Sequence, residues 1–230
     1  MRPYKHLFFD LDHTLWDFAA NEQLTLTDLY NNYSLGGHFE SFEVFFQSYQ
    51  PINADLWIKY RLGQIKKAEL NIGRFHHTFL TAGLDQLELA EKFAHDFVAF
   101  NSQKETVMPH TFELLDYLKP HYHMHIITNG FVEAQKVKME VSGLRPYFQK
   151  LFISEEVGAQ KPKVAFFEKA IKSCNARKKE SLVIGDSLEI DIQGAKNFGL
   201  DHVFFNPHRT PHAEKVFKEI HSLKELIGWL

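Results

Sequence analysis

The chain has 230 residues, of which 44% are hydrophobic and 24% are charged. This apolar content is sufficient for a packed core and excludes a disordered chain. The formal net charge is −3, so the sequence lacks the basic field of a protein that binds a nucleic acid polymer through its phosphates.

Three further features concern the location of the protein. No stretch approaches the roughly 20 apolar residues that span a bilayer, which argues against a membrane partner. The amino terminus lacks the apolar centre and cleavage site of a signal peptide. The one cysteine, Cys174, excludes an intramolecular disulfide and suits a reducing compartment. We therefore expect a soluble, cytoplasmic protein.

Short apolar runs predict five buried strands, at residues 7–9, 125–128, 151–153, 182–185 and 203–205. The segments between them show helical spacing of apolar residues, with Phe112, Leu115 and Leu118 in one, and Phe166, Phe167, Ala170, Ile171 and Cys174 in another. Strands that alternate with helices predict an α/β fold with a doubly wound, Rossmann-like parallel sheet that is covered on both faces.

One interval interrupts this alternation. Residues 17–106 contain no comparable strand, and their pattern is helical, as in the apolar face formed by Leu87, Ala90, Phe93, Ala94, Phe97 and Val98. Pro109 follows a short extended segment and is a plausible point of return to the sheet. We therefore predict an α/β core of residues 1–16 and 107–230, with residues 17–106 inserted as an all-helical cap domain.

Acidic residues follow two of the predicted strands. Asp10 and Asp12 come after the first strand, while Asp186 and Asp191 come after the fourth. Taken alone, the first pair could be chance and the second a helix N-cap. Ligands of open α/β sheets bind beyond the carboxyl ends of the strands, where all four acids should meet. Four carboxylates in one crevice need a cation, and oxygen ligands without cysteine suit Mg²⁺.

Two further elements suit an anion. Thr128, Asn129 and Gly130 close the second strand, where a hydroxyl and backbone N–H groups can surround phosphate oxygens. Lys161 follows the third strand in a loop that should face the same crevice. A single lysine is more often solvated surface, so its position in that loop is what makes it a candidate.

The order Asp-x-Asp-x-Thr, Thr, Lys-Pro and Gly-Asp-x-x-x-x-Asp resembles the haloacid dehalogenase-like (HAD) hydrolase superfamily, over essentially the whole chain. The helical insertion is similar to that of its helical-cap subfamily. The resemblance implies that Asp10 is a nucleophile and Asp12 a general acid and base. It also implies that Thr128 and Lys161 hold a phosphate.

The same resemblance implies a magnesium site. Asp10, the backbone carbonyl of Asp12, and Asp186 would bind Mg²⁺, with Asp191 supporting them. This agrees with the chemistry, because a phosphate dianion repels a carboxylate nucleophile until its charge is neutralised. An acid at position 12 also favours phosphoryl transfer over dehalogenation, since a halide leaving group needs no proton.

A narrower resemblance, to pyrimidine-type nucleoside 5′-monophosphatases, rests on residues 10–18, Asn21-Glu22 and Arg74-Phe75. It favours a small phosphorylated metabolite as the partner, with a nucleoside monophosphate preferred. Separately, we expect a monomer or small homo-oligomer. Trp16 and Phe18 could stack on a base, or could simply pack at the seam between core and cap. Asn21 could hydrogen-bond to that base.

Two other functions remain open from the sequence. A sugar-phosphate phosphatase or phosphomutase would use the same motifs. A non-catalytic phosphate-binding or interaction protein could share the scaffold, although the intact motifs disfavour it.

Several other residues have plainer interpretations. His121, His123 and His125 have the period-two spacing of a zinc site, but edge polarity explains them more simply. We expect Cys174 to be a packed thiol. Arg61 and Arg74 could contact a substrate, although a solvated or salt-bridged role is the plainer expectation. His13 could tune entry to the crevice.

Overall fold

The computed structural model describes residues 4–230 and divides the chain into two compact units. The core unit runs up to Ala19 and resumes from Lys104 to Leu230. The helical unit is the intervening segment, Ala20–Gln103. The insertion expected from the sequence, residues 17–106, begins and ends slightly outside this segment.

A parallel sheet forms the centre of the core unit. Its strands are β1 (His6–Phe9), β2 (His123–Thr128), β3 (Lys150–Ile153), β4 (Ser181–Gly185), β5 (Asp201–Phe205) and β6 (Lys218–Ile220). They are ordered β3-β2-β1-β4-β5-β6, and every neighbouring pair is parallel. Because β1 lies between β2 and β4, the segments that follow these three strands emerge side by side. The predicted α/β fold with a parallel sheet is confirmed.

The sixth strand was not expected from the sequence. It has only three residues, two of them charged, so it lacks the apolar run that marks the others. Val203 of β5 lies opposite Lys218 in the register, and β6 is one of the two edge strands of the sheet.

Helices α1–α4 account for most of the insertion: α1 (Phe18–Asn32), α2 (Phe42–Arg61), α3 (Lys67–Thr81) and α4 (Leu87–Ser102). The core of the helical unit is aromatic, and Phe75 and Phe93 contact each other with ring centroids 4.8 Å apart. The predicted apolar face of α4 is buried at four positions, while Leu87 is exposed.

The remaining helices belong to the core unit: α5 (Thr111–Leu118), α6 (Val132–Val141), α7 (Ser154–Val157), α8 (Val164–Ser173) and α9 (Gln193–Phe198). A π-helical turn, Leu188–Ile192, precedes α9. Leu7 and Phe9 pack into one apolar cluster and Phe8 into another, because alternate side chains of β1 point to opposite faces of the sheet.

Two predicted apolar positions differ from the structure. Phe112 is exposed, and Leu114 occupies the buried face of α5 in its place. Cys174 packs against its cluster only partly. Within residues 4–230, no helix is long and apolar enough to cross a membrane.

Candidate active site

Three carboxylates meet at the carboxyl ends of β1 and β4. Asp10 directly follows β1, Asp186 directly follows β4, and Asp191 lies in the π-helical turn. One carboxylate oxygen from each lies within 4.8 Å of the others. The Thr14 hydroxyl lies 3.2 Å from Asp10 Oδ2 and 3.0 Å from Asp186 Oδ1, which links the first and last motifs. We call Asp10, Asp186 and Asp191 the carboxylate group.

Gly185 permits this approach. A Cβ atom at position 185 would lie 2.5 Å from Cγ of Asp191, closer than real side chains pack. The glycine at the end of β4 therefore makes room for the Asp191 carboxylate beside the strand.

Lys161 lies in the same cluster. Its Nζ donates hydrogen bonds to Asp10 Oδ1 and Asp191 Oδ1, both at 2.6 Å, and to the carbonyl oxygen of Ile127 at 2.9 Å. The amide side chain of Asn129 holds the lysine's backbone, donating to Lys161 O and accepting from Lys161 N, each at 2.9 Å. Asn129, predicted to bind phosphate, thus positions the predicted phosphate-binding lysine.

Burial dominates the electrostatics of the carboxylate group. Removal from water raises the pKa of Asp10 well above its usual value, Lys161 opposes this shift, and Asp191 and Asp186 add to it. Burial and the repulsion of Asp191 raise the pKa of Asp186 to about 7. Burial alone would lower the pKa of Lys161, but Asp10 and Asp191 raise it, so this side chain stays a charged ammonium.

These properties fit a divalent cation. The clustered ligand atoms are all carboxylate oxygens, which suit a hard ion such as Mg²⁺. Burial, with repulsion among the carboxylates adding to it, raises the pKa values of Asp10 and Asp186, and a bound cation would offset that cost of ionising them. Across residues 4–230, this is the one group of three or more acidic, histidine or cysteine side chains spaced to hold a metal.

The Asp12 carboxylate lies outside this group, although the sequence predicted that all four acids converge. Its Oδ1 accepts from Lys138 Nζ at 2.6 Å, and its Oδ2 accepts from Gln135 Nε2 at 2.8 Å. The two partners lie three residues apart on α6, so they share a face of that helix. Asp10 and Asp12 therefore have different surroundings, although only one residue separates them.

Thr128 lies at the end of β2, as predicted. Its Oγ1 accepts from Gln135 Nε2 at 2.6 Å and from the backbone N–H of Gly130 at 3.1 Å. A hydroxyl has two acceptor sites and one proton, so these bonds leave the proton of Thr128 for another acceptor. A Cβ atom on Gly130 would lie 2.2 Å from Gln135 Nε2, so this glycine serves the close approach of Gln135.

The residues predicted to contact a base have different environments. Trp16 is fully buried and donates from Nε1 to the carbonyl oxygen of Lys104 at 3.1 Å, which corrects its prediction as a stacking surface and supports packing. Asn21 is also fully buried. Phe18 is half-buried, with its ring centroid 4.9 Å from that of His13.

A cavity of about 380 Å³ lies beside Asp186 in the core unit. It extends from the loop after β1 to the loop after β5, and its lining includes His13, Asp17, Asn206 and His208. The cavity is therefore at the same edge of the sheet as the carboxylate group.

The histidines at positions 121, 123 and 125, for which edge polarity was the simpler explanation, lie outside the carboxylate group. His125 instead contacts His6, with His6 Nδ1 and His125 Nε2 3.2 Å apart, at the amino-terminal edge of the sheet. Arg74, expected to be solvated or salt-bridged, is buried with its guanidinium over Phe75 and Phe97.

Sequence reasoning missed Gln135 and Lys138, which hold Asp12. Both are polar residues on a helix, where a solvated position is the usual expectation. Their spacing of three residues, in the helix that follows the Thr-Asn-Gly turn, was the available signal.

The chain is similar to known hydrolases. The family model of haloacid dehalogenase-like hydrolases matches residues 4–199. The pyrimidine 5′-nucleotidase PynA of Streptococcus pneumoniae is 35% identical over 99% of this chain and 95% of its own length. The pyrimidine 5′-nucleotidase YjjG of Escherichia coli is 33% identical over 96% of both chains.

Solved structures agree with these matches. The crystal structure of the HAD-hydrolase YfnB of Bacillus subtilis, bound to magnesium, superposes with a TM-score of 0.89 at 28% identity. That superposition covers 100% of this chain and 99% of the other. The chain belongs to the haloacid dehalogenase-like hydrolase family.

Proposed function

We propose that the protein is a Mg²⁺-dependent phosphomonoesterase that acts through an aspartyl-phosphate on Asp10 and prefers pyrimidine nucleoside 5′-monophosphates. One observation carries the proposal: two neighbouring acids are placed in separate surroundings. Asp10 belongs to the carboxylate group, while Asp12 is held outside it by Lys138 and Gln135. Two carboxyl groups in different environments can take different chemical roles.

Asp10 would act as the nucleophile. A carboxylate oxygen of Asp10 bonds to phosphorus, and the bond from phosphorus to the leaving oxygen breaks. Asp12, protonated when the substrate is bound, gives its proton to that oxygen, so the product leaves as an alcohol. Water then attacks the aspartyl-phosphate while Asp12 takes its proton, which releases inorganic phosphate and restores Asp10.

Three groups would neutralise and hold the phosphate. The ammonium of Lys161 lies 2.6 Å from Asp10 Oδ1 and would neutralise charge there, while its three N–H groups already donate to Asp10, Asp191 and the Ile127 carbonyl oxygen. The Thr128 hydroxyl proton is left over for an acceptor. Mg²⁺ bound by Asp10 and Asp186, with the Asp12 carbonyl as a further ligand and Asp191 in support, would supply positive charge to the phosphoryl oxygens.

The cavity beside Asp186 supports the substrate class. Its lining contains both polar and apolar side chains, which suits a nucleoside more than a small aliphatic group. Phe18 is only half-buried, and stacking of a base on an aromatic ring is worth roughly 1–3 kcal/mol. The names of the two relatives, both pyrimidine 5′-nucleotidases, point to the same class. A cytoplasmic location and a monomer or small homo-oligomer stay predictions.

A panel of nucleoside monophosphates, sugar phosphates and small phosphorylated acids tests the activity. We expect phosphate release that requires Mg²⁺, is lost with EDTA, and is highest with pyrimidine nucleotides. Asp10→Asn should abolish turnover while circular dichroism shows an intact fold. Turnover of Asp10→Asn within tenfold of the wild type would refute the assignment of Asp10 as the nucleophile. Transfer of phosphate within a sugar, without release, would support a phosphomutase instead.

Phe18→Ala tests the stacking role. The variant should lose kcat/KM mainly with pyrimidine nucleotides, while small aliphatic phosphates change little. Phe217→Ala is the matched control. This exposed phenylalanine directly precedes β6, so it lies at the amino ends of the strands, whereas the carboxylate group lies at their carboxyl ends. An equal loss on both substrate classes would make Phe18 a packing residue.

A further inference from the structure

We propose that Lys138 is a positioning residue that acts through Asp12, aiming the Asp12 carboxyl at the leaving oxygen of the substrate. The inference rests on the proposed phosphatase activity and adds a residue to it. It starts from the ion pair of 2.6 Å between Lys138 Nζ and Asp12 Oδ1.

The contacts of Asp12 fix its orientation. One oxygen is bonded to Lys138 and the other to Gln135, so rotation of the carboxyl group would break at least one hydrogen bond. Each carboxylate oxygen has a second lone pair, which stays open to a proton or a substrate. The two contacts therefore restrain Asp12 without blocking it.

Lys138 is itself restrained. Its side chain is only 4% exposed, and its ammonium lies 4.0 Å from the ring centroid of Trp16 and 4.9 Å from that of Phe18. Contacts with aromatic faces favour a cation at this point. Because Trp16 is buried, it cannot stack on a substrate. Its ring instead packs against the Lys138 ammonium and restrains it.

Stability alone does not account for this arrangement. Removing an ammonium from water is costly, and replacement of a whole buried ion pair by apolar side chains of similar volume is often neutral or stabilising. Asp12 keeps 22% of its side chain exposed, so its pair with Lys138 is open to solvent on the acid's side. That exposed part is where a substrate oxygen can reach the carboxyl group.

The consequence is specific to the leaving group. An alkoxide needs a proton from Asp12 as it leaves, whereas p-nitrophenolate leaves without one. The ratio kcat/KM covers the steps up to departure of the leaving group, so it reports this proton transfer and not the later hydrolysis. Misplacement of a reacting group by about 1 Å can cost about 10²-fold in rate.

The experiment uses Lys138→Met with two substrates: p-nitrophenyl phosphate and the alkyl phosphate, such as uridine 5′-monophosphate, that the wild type hydrolyses fastest. We expect kcat/KM to fall about 10²-fold on the alkyl phosphate and less than about threefold on p-nitrophenyl phosphate. Lys138→Arg should recover part of the loss. Lys136→Met is the control, because this exposed lysine of the same helix pairs with Glu156.

A double-mutant cycle with Asp12→Ala separates positioning from folding. If Lys138 acts through Asp12, Lys138→Met should cost less than about threefold when added to Asp12→Ala. A variant that merely misfolds would lose activity equally on both substrates and in both backgrounds. This result would overturn the inference about Lys138 but not the proposed phosphatase function. A wild-type protein without hydrolysis of any phosphate would overturn the proposed function, and the inference with it.

Discussion

His125 makes the protein sensitive to acid at a place remote from the carboxylate group. Its side chain is buried in β2, and among residues 4–230 its Nδ1 finds no hydrogen-bond partner. Burial lowers the pKa of His125 to about 3, and the neighbouring His6, His123 and Lys150 add to the shift. The ordinary value in an unfolded chain is about 6.5. The folded protein therefore keeps this imidazole neutral where the unfolded chain takes up a proton.

The sign and size of the effect follow from proton binding. Above about pH 6.5 both states hold the neutral ring, and His125 imposes no penalty. Below about pH 6.5 the unfolded chain binds a proton that the folded protein does not. The free energy of unfolding therefore falls as the pH falls towards the pKa of His125 in the folded protein. At pH 5, about 1.5 units below the unfolded pKa, one such group costs about 2 kcal/mol at 1.36 kcal/mol per unit.

Urea denaturation of the wild type and His125→Phe at pH 7 and pH 5 measures this cost. The difference in unfolding free energy between the two proteins should shift by about 2 kcal/mol in favour of the variant at pH 5. Met124→Leu, which alters packing on the same strand without removing a titratable group, should parallel the wild type. A shift below about 0.5 kcal/mol for His125→Phe would refute a buried neutral imidazole.

Three further outcomes are expected. Burial raises the pKa of Cys174 to about 11, so at pH 8 a thiol reagent should label it about 100-fold more slowly than free cysteine; labelling at the free rate would contradict this. Lys161→Met leaves the buried carboxylates of Asp10 and Asp191 without their shared ammonium and should lower the unfolding free energy by about 3–5 kcal/mol in urea, whereas a loss under about 1 kcal/mol would exclude such a pair. Asp186→Ala should weaken Mg²⁺ binding in calorimetric titrations more than Asp191→Ala, because both Asp191 oxygens already accept hydrogen bonds; equal affinities would remove that distinction.

The parts of the site that sequence reasoning could place are those tied to strand ends. Asp10, Thr128 and Asp186 each close or follow an apolar run, and the geometry of a parallel sheet brings such positions to one edge. Their approximate convergence therefore required only the strand assignments. The orientation of each side chain was not available in that way.

Asp12 shows why. An extended strand end would point Asp10 and Asp12 the same way, but the backbone turns at once, with Thr14, Leu15 and Trp16 donating to the carbonyl oxygen of Leu11. The tight turn directs Asp12 towards α6, where Lys138 and Gln135 donate hydrogen bonds to its carboxylate. Which partner a side chain finds after such a turn depends on contacts distant in sequence, over 120 residues away in this case.

The two ends of the insertion leave the core unit side by side. Trp16 bridges to Val107 in antiparallel fashion, Met108 N donates to Leu15 O at 2.8 Å, and Asp17 N donates to Thr106 O at 3.1 Å. Because these two segments are paired, another helical insertion could replace residues 20–103 if its own ends lay as close together. The sheet, its register and the carboxylate group would be untouched by such an exchange. Recombination at these paired segments is thus a route by which one phosphoryl-transfer core could acquire different helical insertions, and with them different substrates.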